Sequence, residues 1–190
     1  MNLSNRLVNT YIFIENFNSS IEERIKKIKQ LTIIYENKTI PSENFFKILK
    51  FCKKNKTKLY IQDNLKAVIK YKLNGLVISS QNKFLSKLLF SQIKKKIEIL
   101  GKVHNQHEFY QKKKQNCDFI FLSPLFFTKK YSENKILNIS KFNLMSLHWN
   151  LKLIALGGIK DSNYKKIKMT RSVGIGLKSL VDKKNPLTLK

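Results

Sequence analysis

Cysteine and histidine are scarce in this chain, and their scarcity excludes several kinds of site. The two cysteines, Cys52 and Cys117, lie far apart and form no C-x-x-C pair. Buried free thiols are the simplest interpretation of both residues. The chain has three histidines, and local spacing brings none of them together with a second metal-binding residue in a zinc-type pattern. We therefore expect no zinc site.

Acidic residues are also few, because 12 Asp and Glu stand against 38 Lys and Arg, a formal net charge of +26 at pH 7. Such an excess attracts polyanions, and nucleic acids bind it with release of counterions. The arginines, however, are limited to Arg6, Arg24 and Arg171, whereas nucleic-acid readers rely on arginine for bidentate and stacking contacts. The lysines recur along the whole chain. We expect phosphorylated small molecules as partners in preference to nucleic acid.

Long apolar runs are missing as well. No stretch approaches the roughly 20 residues of a membrane span, and residues 1–10 contain no apolar run of signal-peptide length. The hydrophobic fraction of 42% is too high for a disordered chain, and 190 residues suit one domain with a sizeable core. We expect a single cytoplasmic domain over residues 1–190 without membrane association, and a homo-oligomer stays open.

Short apolar runs alternate with lysine-rich helical segments, which is the pattern of a parallel sheet covered by helices. The predicted strands are residues 11–14, 31–35, 59–61, 75–78, 97–100, 119–122, 151–156 and 173–176. The predicted helices are residues 20–30, a helix capped by Ser42, and residues 64–73, 84–96, 107–115, 142–149 and 161–168. This order predicts an α/β fold, a compact (β/α)8 TIM barrel.

Two features refine the fold prediction. The alternative is a doubly wound open sheet, but the glycine-rich fingerprint that such a sheet carries after its first strand is missing here. After Gly176 few residues remain, and Pro186 interrupts them, so the last helix of the barrel should be stunted.

Glycines mark the ends of the last two predicted strands. Gly157 and Gly158 follow the seventh strand, and Gly174 and Gly176 lie at the eighth. Phosphate sites of barrels are built from the loops after these two strands, because bare backbone there lets N–H groups approach phosphate oxygens. Tight turns would also require glycine, but two clusters on adjacent strands favour a phosphate site.

Two titratable residues follow other predicted strands. Asp63 comes directly after the third strand, where a carboxylate can bind Mg²⁺ or serve the start of the next helix. His104 follows the fifth strand and can act as an acid or base near neutral pH, although a plain loop histidine has the same spacing.

Three segments together resemble the thiamine phosphate synthase/TenI family in order and spacing. They are Gly-Lys-Val-His at residues 101–104, Ser-Pro-Leu-Phe-Phe-Thr-Lys at residues 123–129, and Ala-Leu-Gly-Gly-Ile at residues 155–159. The resemblance implies a barrel that handles thiamine precursors. The synthases of this family join hydroxymethylpyrimidine diphosphate to thiazole phosphate and release diphosphate with Mg²⁺. The TenI relatives tautomerise a thiazole phosphate carboxylate with a histidine after strand five and need no metal.

The resemblance also implies roles for particular residues. Lys38 matches a diphosphate ligand, Gln62 and Asp63 match an amide and a metal carboxylate, and Asn82 stands at a second metal carboxylate. His104 would shuttle a proton, Thr128 would orient substrate, and Lys129 and Lys130 would neutralise the diphosphate. The backbone at Gly157, Gly158, Gly176 and Leu177 would hold the thiazole phosphate. Glu36 departs from the family pattern, because it stands where the family has a cation, and Lys102 or Val103 replaces a serine.

The sequence therefore predicts a thiamine-biosynthesis protein of the synthase type, with Mg²⁺ as cofactor. A thiazole tautomerase without a cofactor is the alternative. A non-catalytic binder of a phosphorylated ligand or of nucleic acid is the remaining class.

Overall fold

A computed structural model describes residues 9–36, 39–83, 97–128 and 131–178 of the chain. Within these ranges eight parallel strands pair in chain order, and the last pairs with the first to close a barrel. The strands are β1 Asn9–Ile14, β2 Leu31–Tyr35, β3 Lys58–Gln62, β4 Gly75–Ile78, β5 Glu98–Val103, β6 Phe119–Leu122, β7 Lys152–Leu156 and β8 Gly174–Leu177. The predicted (β/α)8 barrel is confirmed.

The helices of the described ranges lie between the strands. They are α1 Ser19–Ile25, α2 Glu43–Lys54, α3 Leu65–Lys70, α4 Gln106–Lys114, α5 Asn138–Trp149 and α6 Asp161–Tyr164, with 3₁₀ turns at Glu133–Lys135 and Lys165–Met169. The predicted helix over residues 84–96 and the stunted helix after Gly176 fall outside the described residues. No helix within the described parts is long and apolar enough to cross a membrane.

Capping residues explain several helix starts. Ser42 accepts a hydrogen bond from the Phe45 backbone N–H at 3.1 Å, as its predicted capping role requires. Asn64, and not Asp63, caps α3 by accepting from the Ala67 N–H at 2.9 Å. The helix-start role considered for Asp63 is therefore taken by its neighbour, which leaves the Asp63 carboxylate for other contacts.

Two apolar layers follow from the alternation of side chains along each strand. Inside the barrel the buried side chains are Tyr11, Phe13, Ile34, Tyr60, Val77, Leu100, Phe121 and Ile154. The Phe121 ring packs edge-on against the rings of Tyr11 and Phe13, each at 5.2 Å between centroids. The larger second layer lies between barrel and helices and includes both cysteines, which are free and buried as predicted. Burial raises the pKa of Cys52 to about 12, so this thiol is unreactive at neutral pH.

Candidate active site

The strand alternation that fills the barrel interior also places a polar layer at its carboxyl end. Two residues beyond an inward-facing apolar side chain, the next side chain faces inward again. In β2, β3 and β5 this spacing leads from Ile34, Tyr60 and Leu100 to Glu36, Gln62 and Lys102. In β8 it leads from Gly176 to Lys178. Active sites of this fold lie at the carboxyl ends of the strands, where these four polar side chains are found.

Lys102 links the side chains that follow β2 and β3. Its ammonium group donates to Glu36 Oε1 and to Gln62 Oε1, each at 2.5 Å, and lies 4.3 Å from the centroid of the Phe13 ring. The Glu36 side chain is only 6% exposed, so its charge is compensated by a cation in a largely dry setting. Glu36, which stands where the sequence resemblance leads one to expect a cation, is thus paired with the ammonium group of Lys102 from β5.

Lys178 closes the same group from β8. Its ammonium group lies 2.8 Å from Glu36 Oε2 and 3.6 Å from Glu15 Oε1, while its side chain stays 64% exposed. Burial alone would raise the pKa of Glu36, but the two lysines hold it below the ordinary value. The carboxylate of Glu36 is therefore ionised at neutral pH, and we call Glu36, Gln62, Lys102 and Lys178 the polar layer.

Asp63 lies beside the polar layer with an exposed carboxylate. Its Oδ1 accepts hydrogen bonds from the Ser79 N–H at 3.0 Å and from the Asn82 side-chain amide at 2.9 Å. Asn82 therefore presents its NH₂ group to Asp63, and its own amide oxygen faces away from that carboxylate. As placed, the two predicted metal residues form a donor–acceptor pair, with Asp63 as the anionic member.

A buried lysine fixes the backbone beside Asn82. Lys112 of α4 is fully buried, and its ammonium group donates to the Asn82 carbonyl at 2.8 Å. The Gln115 side chain donates to the same carbonyl at 3.0 Å. Helix α4 thereby holds the loop that supports Asp63, which is a contact that no local sequence pattern indicated.

His104 stands just beyond β5 and has a partner on each ring nitrogen. Nδ1 lies 3.0 Å from Glu108 Oε2, and Nε2 lies 2.9 Å from the Tyr131 hydroxyl. The His104 backbone N–H also donates to Glu108 Oε2, at 2.7 Å. The predicted acid–base residue is therefore oriented by two side chains, a carboxylate on α4 and a phenol from the loop after β6.

The predicted glycine turn packs directly on the loop after β6. Gly157 and Gly158 have φ values of +91° and +69°, in the region that favours glycine. The Phe126 N–H donates to the Gly157 carbonyl at 3.1 Å. A Cβ atom on Gly158 would lie 2.6 Å from the Phe127 carbonyl oxygen. Both the turn and the close approach require glycine, which accounts for the pair without reference to a ligand.

The remaining predicted site residues differ in burial, and some of them lie outside the described residues. The Thr128 hydroxyl is buried and has no hydrogen-bond partner among the described residues, as a group reserved for a ligand would be. Gly176 and Leu177 are the last two residues of β8, at the carboxyl end of the barrel but buried in the strand itself. Lys38, Lys129 and Lys130 lie outside the described residues, and their predicted roles stay predictions.

A cleft of about 1000 Å³ opens at the opposite end of the barrel, where the strands begin. Two of its charged groups, Lys58 and Glu98, form an ion pair at 2.7 Å, and Tyr60 donates to the same carboxylate at 2.5 Å. Asp118 accepts from the Ile99 N–H at 2.9 Å. These contacts tie neighbouring strand starts together, which is the structural role expected of this end of the fold.

Sequence reasoning missed several residues of the candidate site, among them Glu108, Lys178 and Lys112. Glu108 carries a visible signal, because Asn105 and Glu108 have the spacing of a capping box directly after His104. The Asn105 side chain does accept from the Glu108 N–H, at 2.9 Å. Lys178 had a weaker signal, namely its spacing of two from Gly176. Nothing local marked Lys112, because its partner lies 30 residues away.

The fold and the carboxyl-end site together define an enzyme-like (β/α)8 barrel with acid–base and cationic groups at its mouth. The sequence model of the thiamine monophosphate synthase family matches residues 8–180 of this chain. The chain belongs to that family, as its sequence motifs predicted.

The chain is also similar to one curated protein and to solved structures. A thiamine-phosphate synthase of Prochlorococcus marinus is 35% identical over 72 residues, which are 37% of this chain and 21% of that protein. The chain thus spans about a fifth of that curated relative. Among the solved structures that share the fold are two thiamine phosphate pyrophosphorylases. The one from Pyrococcus furiosus has a TM-score of 0.72 at 16% identity, covering 95% of this chain and 89% of that one. The one from Bacteroides thetaiotaomicron has a TM-score of 0.59 at 13% identity, covering 97% and 89%.

Proposed function

We propose that this protein is a transferase of the thiamine phosphate synthase type, which joins hydroxymethylpyrimidine diphosphate to thiazole phosphate and releases diphosphate. One observation carries the proposal. The exposed carboxylate of Asp63 accepts hydrogen bonds from Ser79 and Asn82 at the same end of the barrel as the ammonium groups of Lys102 and Lys178. A reaction that expels diphosphate needs cations where the negative charge develops, and preorganised cations at that point lower the barrier.

The residues at Asp63 fit a magnesium ion that is shared with the substrate. In the part of the chain that the structure describes, no three His, Cys, Asp or Glu side chains lie together so that they could hold a metal ion by themselves. Mg²⁺ commonly takes one or two protein carboxylates together with substrate phosphates and water. Asp63 would supply the carboxylate and Asn82 would orient it by the hydrogen bond to Oδ1. When bound, the ion supplies charge neutralisation for the departing diphosphate.

The chain's own groups would divide the remaining work. Lys178 is largely exposed, and its pairing with Glu36 raises its pKa despite partial burial, so it stays cationic at the mouth. Lys102 is committed to Glu36 and Gln62, and it would set the electrostatic potential of the site without leaving those partners. The Thr128 hydroxyl, which has no hydrogen-bond partner within the described ranges, would orient a substrate oxygen. Backbone near Gly158 and Leu177 would bind the thiazole phosphate.

Replacing Asp63 by asparagine should lower the rate of diphosphate release on the order of 100-fold, the loss typical when one preorganised charge is removed from an active site. The measurement is diphosphate release from the two substrates, with Mg²⁺ and with a chelator. Chelation should lower the wild-type rate and have little further effect on the variant.

The matched control for this experiment is Asp118→Asn. Asp118 makes a backbone hydrogen bond at the opposite end of the barrel, and asparagine can accept the same bond. We expect a wild-type rate for this control. If Asp63→Asn keeps the wild-type rate, Asp63 has no role in the metal site. If the wild-type protein releases no diphosphate from the two substrates, the transferase proposal is wrong.

A second activity, thiazole tautomerisation, is favoured by a separate observation. His104 is oriented by hydrogen-bonding groups at both ring nitrogens, as a residue that accepts and returns a proton should be. A tautomerase needs this acid–base group and no metal. The sequence resemblance implies both activities for the family, and the same carboxyl-end site would hold the groups for each.

Replacing His104 by glutamine separates the two activities. Tautomerisation should fall by about 100-fold or more, because the group that moves the proton is lost. Diphosphate release should fall less, since the cations and Asp63 remain in place. Both rates are measured on the same preparation, and His107→Gln, a change of an exposed histidine on α4, is the control. Full tautomerase activity in the His104 variant would contradict the second activity.

A further inference from the structure

The chain of contacts Glu108–His104–Tyr131 determines more than the orientation of one ring. Glu108 lies on α4, His104 follows β5, and Tyr131 belongs to the loop after β6. The three side chains are each half-buried. The His104 and Tyr131 rings lie 5.5 Å apart at a tilt of 41°, so the phenol reaches the imidazole edge and does not stack on its face.

The donors around Glu108 decide the direction of its bond to His104. Oε2 receives the His104 backbone N–H at 2.7 Å, and Oε1 faces the Asn105 side-chain NH₂ at 3.3 Å. An ionised carboxylate only accepts hydrogen bonds. Surrounded by N–H donors, Glu108 is an acceptor toward the ring as well. Nδ1 of His104 must therefore carry the proton in this contact.

The state of Nδ1 decides that of Nε2. In a neutral imidazole one nitrogen donates and the other accepts, so a protonated Nδ1 leaves Nε2 as the acceptor. The Tyr131 hydroxyl then donates to Nε2. Partial burial, assisted by the negative charge of Glu108, raises the pKa of Tyr131, so the phenol keeps the proton that it donates.

We propose that Glu108 is a positioning residue that fixes the neutral His104 ring in its Nδ1–H form, so that Nε2 is the atom that exchanges a proton at the barrel mouth, with Tyr131 as its resting partner. The catalytic meaning of this inference rests on the proposed acid–base role of His104. The tautomer itself does not, because it can be measured without turnover.

Nitrogen NMR of ¹⁵N-histidine-labelled protein tests the proposal directly. At a pH where the ring is neutral, the wild-type His104 signals should show a protonated Nδ1 and an unprotonated Nε2. Glu108→Ala should move the ring toward the Nε2–H form. Glu108→Gln keeps an acceptor oxygen at this position and should largely retain the Nδ1–H form. His107 and His148, which do not contact Glu108 in the described contacts, serve as internal controls, and His104→Gln assigns the signals.

The activity readout separates positioning from a helix-capping role. Glu108→Ala should lower the kcat of thiazole tautomerisation about 10- to 100-fold with little change in KM. The lost contact orients the reacting His104 ring without touching substrate. A capping role alone would lower the melting temperature of Glu108→Ala and leave its tautomer unchanged, which would overturn the proposal.

Two further results keep the proposal open to contradiction even if the alanine variant fails to fold. A wild-type His104 ring in the Nε2–H form would overturn it. Tyr131→Phe should keep the Nδ1–H form, because Glu108 is still present. A change of the His104 tautomer in Tyr131→Phe would mean that Tyr131, and not Glu108, determines the tautomer, and would also overturn the proposal. A protein with the expected tautomers but neither activity would refute the proposed function alone.

Discussion

Replacing Gly158 by alanine should lower the free energy of unfolding by about 3 kcal/mol or more, the sum expected for a left-handed backbone and an overpacked contact. Gly158 has φ +69°, which costs an alanine but not a glycine. The added Cβ would also lie 2.6 Å from both the Phe126 carbonyl carbon and the Phe127 carbonyl oxygen. Backbone atoms cannot rotate away as a flexible side chain can, so the two loops must separate.

Urea unfolding of three variants tests this explanation. Ser162→Ala, an exposed change nearby on α6, is the control and should unfold as the wild type does. Gly158→Asn distinguishes the two causes, because asparagine tolerates the left-handed region but still carries a Cβ. We expect it to be nearly as destabilised as the alanine variant. A wild-type midpoint for Gly158→Asn would show that the contact with the loop after β6 is not the cause.

Replacing Glu36 by glutamine should lower the free energy of unfolding at neutral pH by about 3 kcal/mol, because removing one partner of a buried ion pair leaves the other uncompensated. Lys102 is the partner whose charge would lose its compensation, since its side chain is 16% exposed and would then contact amide oxygens alone. Lys178 is mostly exposed and can return to water.

The loss of stability in Glu36→Gln should depend on pH in a direction that follows from the pKa of Glu36. The lysines lower the pKa of Glu36 in the folded protein, so the ionised carboxylate stabilises the fold at pH values above its unfolded pKa of about 4.3. This stabilisation is lost as the pH falls through the folded pKa. The difference in the free energy of unfolding between wild type and Glu36→Gln should therefore be largest at neutral pH and become smaller at acid pH.

Glu43→Gln is the matched control for this measurement. Glu43 forms an ion pair with Lys47 at 2.7 Å, but its side chain is 83% exposed. Such surface pairs contribute little to stability, so this variant should unfold almost as the wild type does. An equal loss in both variants would mean that burial of Glu36 adds nothing, and would contradict the account of the polar layer.

The strands were predictable because their signal is local. Each predicted strand overlaps an observed one, since an apolar run between lysine-rich segments has few other ways to be buried. Helix ends were less predictable. The helix predicted over residues 20–30 ends at Ile25, and Gln30 adopts a positive φ of 51°, a backbone choice that the pattern of apolar residues does not record.

Some features of the candidate site were likewise predictable from the sequence, and others were not. His104, Asp63 and the glycine pair were predicted from their places after strands and from the family motifs, and the structure places each of them at the carboxyl end of its strand. The hydrogen bond of Asn82 was not predicted: the residue was expected near a metal, and in the structure its side-chain amide donates to Asp63 at 2.9 Å. A residue type indicates which bonds are possible, whereas the direction of its amide depends on neighbours from other strands.

The sequence by itself determined the class of fold, the family and the end of the barrel where the candidate site lies, because each follows from local periodicity or from a contiguous motif. Tertiary structure alone decided which charges meet. Glu36 and Lys102 are 66 residues apart, and Lys178 directly follows β8, the strand that closes the barrel against β1. Their pairing exists because closure brings the ends of β2, β5 and β8 to one mouth, where burial makes each charge require a partner.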